Sequence, residues 1–198
     1  MTTSAAKSVA PNTAQRIRAR SAALSVAASA SQVAAVARKA KPAAILYRRS
    51  QGVDAYVRAV AGATPMQIVE IERQGVLGAF IKDLSKRMEV PASRIFTILG
   101  VPKATAEKKA AAGELVSGSG GQAAVGMIRL LGIVQAIATN STAVEAKRGF
   151  DAARWLGQWI ERPQPALGGR RPADLIDTPT GVEVVARLLG SIESGAYQ

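Results

Sequence analysis

Apolar residues in this chain recur at spacings of three and four, and nowhere do they alternate over the length of a strand. Leu77, Phe80, Ile81, Leu84 and Met88 give the clearest case and predict one buried helix face over residues 77–88. Much of the 48% hydrophobic fraction is alanine, the best helix former, and aromatic residues make up only 4%. No Asn-Gly pair marks a hairpin. The pattern predicts an all-α protein, and 198 residues suffice for one or two small domains.

The chain has no histidine and no cysteine. That excludes zinc sites built on these residues, thiol nucleophiles, disulfides and imidazole chemistry. The 14 acidic residues form no cluster with an evident acid/base arrangement. A binding protein is therefore expected rather than an enzyme, with no metal and no cofactor.

Charge divides the chain. Residues 1–50 carry nine Lys/Arg and no acid, residues 51–110 nine basic and six acidic, residues 111–198 eight of each. The basic part suits phosphate and the neutral part suits protein. Residues 1–42 are rich in Ala, Ser, Lys and Arg, bury little, and read as a basic arm that is mobile when free. An acid-free, Arg- and Ser-rich start also resembles an organellar transit peptide. Residues 43–140 read as a helical domain and 141–198 as a smaller second one. No stretch reads as long and apolar enough to span a membrane, so a cytoplasmic protein is expected.

Within the first domain, residues 43–49 and 53–60 read as short helices. Thr64-Pro65 opens another over 66–73, which ends at Gly75. From Val90 the sequence predicts a helix, a tight turn at Gly100 and a second helix Lys103–Ala112. That is a helix-turn-helix pattern. Thr105, Lys108, Lys109 and Ala112 share one arc of the second helix, with Ala106 and Ala110 opposite. One side can lock to the domain while the other enters a major groove. Arg94 and Lys103, near helix starts, are candidate phosphate contacts. An ordinary hairpin with a solvated lysine face would leave the same pattern. A long apolar helix over 122–138 follows.

In the second domain, Ala152, Trp155, Leu156, Trp159 and Ile160 form one apolar arc of a helix stopped by Pro163, and both tryptophans read as core. The loop Pro163-Gln-Pro-Ala-Leu-Gly-Gly-Arg-Arg-Pro combines two permissive glycines with adjacent arginines. Thr178-Pro179 starts the last helix, striped by Val182, Val185, Leu188, Leu189 and Ile192, and Gly195 stops it. Tyr197 could anchor a partner or fold back on its own domain.

These residues carry a family resemblance. Ala153 to Leu156, Pro163 to Leu175, Asp177 to Val185 and Leu188 to Tyr197 together resemble the motif string of the Xre/MbcA/ParS antitoxins. The helix-turn-helix, about residues 77–140, is similar to the Xre-like domain that precedes it in that family. The resemblance implies a toxin-binding C-terminal domain that docks over the NAD pocket of a RES-domain toxin. It also implies a DNA-binding part that represses its own operon, as a homodimer within a larger complex. On the matching positions, Gly168, Gly169, Arg170, Arg171, Pro172, Gly195 and Tyr197 would bind toxin. Thr105, Lys108 and Lys109 match the recognition helix and would bind operator DNA, beside Arg94 and Lys103 at the helix starts. Lysines stand where the family often has arginines, Gln164 stands where asparagine is usual, and the first fifty residues have no counterpart in short members. The alternative is a plain helix-turn-helix transcriptional regulator whose C-terminal domain serves only dimerisation.

Overall fold

The computed structural model describes residues 45–140 and 149–193, so the basic arm lies outside the described residues. The described part is helical, as the periodicity requires. In order come α1 (Gly52–Ala61), α2 (Pro65–Gln74), α3 (Gly78–Arg87), α4 (Ala92–Ile98), α5 (Lys103–Ala112) and α6 (Gly118–Asn140). Then follow α7 (Ala152–Trp159) and α8 (Pro179–Glu193), with short 3-10 turns between them. A minimal antiparallel bridge pairs β1 (Val76–Leu77) with β2 (Leu115–Val116), Val76 opposite Val116.

Local chemistry sets the helix ends. Thr64 and Gln67 form a reciprocal capping box, with Pro65 in the first turn of α2. Gly75, at φ +94°, ends that helix and donates to the Ile71 carbonyl at 2.7 Å. A side chain there would run into the Val116 backbone, so glycine is also what lets β2 approach. Asp151 caps α7 by accepting from the Ala153 and Arg154 amides at 3.1 and 3.0 Å. Thr178 caps α8 through the Gly181 amide at 3.1 Å.

Packing centres on α6. It is buried along most of its length, including Ala123, Ala124, Val125, Met127, Ile128, Leu130 and Leu131. Helices α1, α2, α7 and α8 all lie against it. The described residues 45–140 and 149–193 cluster as one compact unit and share a single core. The expectation that no segment could span a membrane is corrected here. By length and composition the 23-residue α6 could, but 56% of its most apolar window is buried as core.

A second correction concerns residues 43–49, expected as helix. Residues 45–48 are irregular and lead into a 3-10 turn at Arg49–Gln51. Tyr47 is the reason. Its ring packs edge-on against Tyr56 and Phe80, at 5.5 and 5.0 Å, and its hydroxyl donates to Asp83 at 2.9 Å. Docking that ring overrides the local helical preference of alanine and arginine.

Two helical glycines predict opposite outcomes. A Cβ on Gly157 would press into the Met88 carbonyl and Val90, whereas Gly190 faces open space. Gly157→Ala should cost about 1–3 kcal/mol by forced displacement of α7. Gly190→Ala should gain roughly 0.5–1 kcal/mol from helix propensity. Urea unfolding of the two variants beside the parent chain reads both signs.

Candidate functional site

Two surfaces carry the residues expected to bind partners. The first is the pair α4 and α5, joined by residues 99–102. The Val101 amide donates to the Phe96 carbonyl at 2.8 Å, and Gly100 takes φ +63° to close the turn. Ile95, Phe96, Ile98 and Leu99 are buried beneath it. On α5, Ala106 is buried while Lys103, Thr105 and Lys108 are exposed.

The five residues expected here do not behave alike. No hydrogen bond or ion pair engages the side chains of Lys103, Thr105 and Lys108 among the described residues. Lys109 is half-buried, and its ammonium donates to the Leu115 carbonyl at 2.7 Å, tying α5 to β2. Arg94 is turned toward α7. Its guanidinium makes a two-point contact with Glu161, at 2.6 and 2.9 Å. Both cations are spent on internal contacts, so three of the five remain presented to solvent.

The second surface is the loop from Arg162 to Asp177. The Gln164 amide donates to the Arg170 carbonyl, and the Gly169 amide donates to the Gln164 carbonyl, each at 3.0 Å. Gly168 and Gly169, at φ +64° and +79°, make this turn possible. Gln164 is buried and its side-chain amide donates to the Arg162 carbonyl at 3.1 Å, so this departure from asparagine serves the loop itself. Pro172 and Ala173 are buried, and the Ala173 amide reaches the Ile160 carbonyl at 2.9 Å.

The adjacent arginines are in different situations. Arg171 grips Asp174 through two bonds at 3.0 and 2.8 Å, and reaches Glu161 at 3.4 Å. Arg170 is exposed and its side chain has no ion pair among the described residues. Arg94, Glu161, Arg171 and Asp174 thus form one chain of alternating charge that joins α4 to the loop. Glu161 and Asp174 are the members that the sequence did not single out. Asp174 stands three residues from Arg171, a signal available in the sequence; Glu161 carried none. Of the two tryptophans expected as core, Trp159 is buried and Trp155 is only partly so. Gly195 and Tyr197 lie outside the described residues.

Charge pairing shifts two carboxylates. The Arg171 guanidinium holds Asp174 below the usual carboxylate value. Burial pushes Asp151 upward, but the Arg154 amide, Arg87 and the Ala153 amide together outweigh it and leave the group lowered. A lowered folded-state value means that each contribution is present above the unfolded value, about 3.9, and is lost as pH falls through the folded value. A carboxyl NMR titration should find both groups below an ordinary aspartate. Arg171→Ala should return Asp174 toward the ordinary value and leave Asp151 unmoved.

Comparison with known proteins was informative. Residues 146–195 match the family described as the antitoxin Xre/MbcA/ParS C-terminal toxin-binding domain. The chain is 34% identical over 140 residues to the Prs ADP-ribosylating antitoxin of Sphingobium sp. (strain YBL2), covering 71% of this chain and 86% of that one. The matched stretch contains α7, the two-arginine loop and α8.

Proposed function

The chain belongs to the Xre/MbcA/ParS antitoxin family, and we propose that it neutralises a RES-type toxin by covering that enzyme's NAD pocket. The toxin-binding match over residues 146–195 carries this reading. Arg170 supports it, because a guanidinium that is exposed and without an ion pair among the described residues, on a turn closed by backbone hydrogen bonds, is a ready contact for a partner. The name of the Sphingobium relative couples an antitoxin to ADP-ribosylation. ADP-ribosyl transfer consumes NAD, and that chemistry fits a toxin with an NAD pocket. Inhibition by covering the pocket needs no catalytic group on this chain.

The second role is autorepression by α4 and α5, acting as a helix-turn-helix in a homodimer. Lys103, Thr105 and Lys108 would face operator DNA. Arg94 and Lys109 would act from behind, Arg94 by holding Glu161 and Lys109 by fixing the C-terminal end of α5. The excess of Lys/Arg upstream of residue 50 favours a polyanionic partner. A cytoplasmic location follows from both roles.

Co-expression with the cognate RES-domain toxin tests the first role. Growth should be restored by the full chain, and Arg170→Ala should weaken that rescue. Failure of the unmodified chain to rescue growth defeats the antitoxin reading for that pair. For the second role, promoter binding measured against salt should show a slope reduced by about 3.6 in the Lys103→Ala, Lys108→Ala double variant, at 0.9 per lost phosphate contact and two contacts on each protomer of the dimer. An unchanged slope would move the DNA surface away from α5.

A further inference from the structure

An apolar groove opens beside Phe150, at a distance in sequence from the two-arginine loop. Its volume is about 210 Å³. Its walls include Ile137 and Ala138 at the end of α6, Phe150 and Trp155 at the start of α7, and Leu189 and Ile192 on α8. No polar or charged residue lines it. Water inside would find few hydrogen-bond partners, so filling the groove with an apolar group is favourable.

The aromatic wall is built and held. Phe150 precedes the Asp151 cap, so it packs at a tilt against Trp155 one turn into α7, with ring centroids 6.2 Å apart. This is a hydrophobic staple, and it explains why an aromatic stands there. It does not explain why Phe150 stays 42% exposed with a cavity at its edge. Trp155 in turn lies flat on buried Trp159, at 5.7 Å and 12°. Arg87 grips the Asp151 carboxylate at 2.7 Å through both oxygens and anchors the start of α7 to α3. Binding here would cost little ordering of the groove itself.

We infer that this groove receives one aromatic or large aliphatic side chain of the toxin. The inference rests on the toxin-binding reading and locates a second part of that contact. Four of the residues named above, Phe150, Trp155, Leu189 and Ile192, fall within the stretch matched to the toxin-binding domain. Their place inside that match favours the toxin over any other occupant. Size agrees, since an apolar cavity of about 150 Å³ is known to admit a benzene ring. A partly buried tryptophan in the wall of an apolar groove is also the residue type that dominates protein interfaces.

The test uses the purified full chain and the cognate RES-domain toxin. Affinity is measured by calorimetry for the parent, Phe150→Ala and Ala138→Phe. The first variant removes a wall, and the second fills the groove without removing any contact. Each should weaken toxin binding at least tenfold while promoter binding stays near that of the parent; Phe150→Ala, which also removes the staple, should lower the thermal midpoint, whereas Ala138→Phe should leave it near the parent's. Acrylamide quenching of tryptophan fluorescence, which reports chiefly the partly exposed Trp155, should fall when toxin is added to the parent chain. Parent-like toxin affinity in both variants overturns the inference. So does a change in the oligomeric state of the free variants, which would assign the groove to a second copy of this chain. Quenching that is equally low before and after toxin addition overturns it too, because the chain's own residues would then already fill the space. Failure of the parent chain to bind the toxin at all defeats the antitoxin reading, and the groove assignment with it.

Discussion

Everything else in this structure depends on how closely its neighbours can approach α6. The helix is apolar on nearly every side, so it must be wrapped rather than merely faced. Wrapping with short helices works only if backbones come close. Side chains on Gly120, Gly121 and Gly126 would collide with Val101, with the Val116 backbone and with Val182 respectively. These small positions seat the turn after α4, the β2 segment and α8 against one axis. Because all three meet the same helix, the two candidate partner surfaces cannot belong to separate cores. An alanine-rich chain with few aromatic residues achieves density by such close approach, not by large side chains interlocking.

The ion pairs follow from that arrangement and do a different job. Arg87 joins Asp54 on α1 to Asp151 at the start of α7, and Arg94 joins α4 to Glu161 just after α7. Their side chains are each about a third exposed. Pairs so placed contribute on the order of 1 kcal/mol or less each, far less than burial of the helix faces. Their role is geometric. They also change how the charge map is read. The region 111–198 is neutral by count, yet its carboxylates Asp151, Glu161, Asp174 and Glu183 are engaged internally. Among the described residues, Arg162, Arg170 and Asp177 are the charges of the loop left exposed without an ion pair, so it presents a small basic excess that the neutral count of the region hides.

Much of the fold was legible because its signals are local. Helical spacing located α3 and α6, the Thr64-Pro65 pair located the start of α2, and glycines marked its end and the turn before α5. The illegible features all join residues distant in sequence. The β1–β2 bridge is two residues on each side, too short to alternate and separated by three helices. Tyr47 left its expected helix for rings nine and 33 residues away. Arg94 read as a phosphate contact because its partner Glu161 stands 67 residues on. Lys109 read as a free cation because the carbonyl that holds it belongs to β2. For the candidate sites, then, residue type and helix face could be read in advance. Which cations were already committed could not, since only packing brings their partners near.

That commitment bounds how far the two surfaces can influence each other. The loop is joined to α4 through Arg171, Glu161 and Arg94, and α4 packs under α5. A toxin that drew Arg171 or the loop away would release Glu161 and loosen the hold on Arg94. The most this route can transmit is the worth of the pairs it breaks. Two part-exposed pairs at up to about 1 kcal/mol each correspond to roughly a thirtyfold change in an equilibrium, at a factor of ten per 1.4 kcal/mol. The shared core transmits little more, because α6 is packed too tightly on every side to shift without breaking the fold. On the proposed function, any larger effect of toxin on DNA affinity would therefore come from assembly, by bringing together or holding apart two copies of the α5 surface. It would not come from reshaping a single chain.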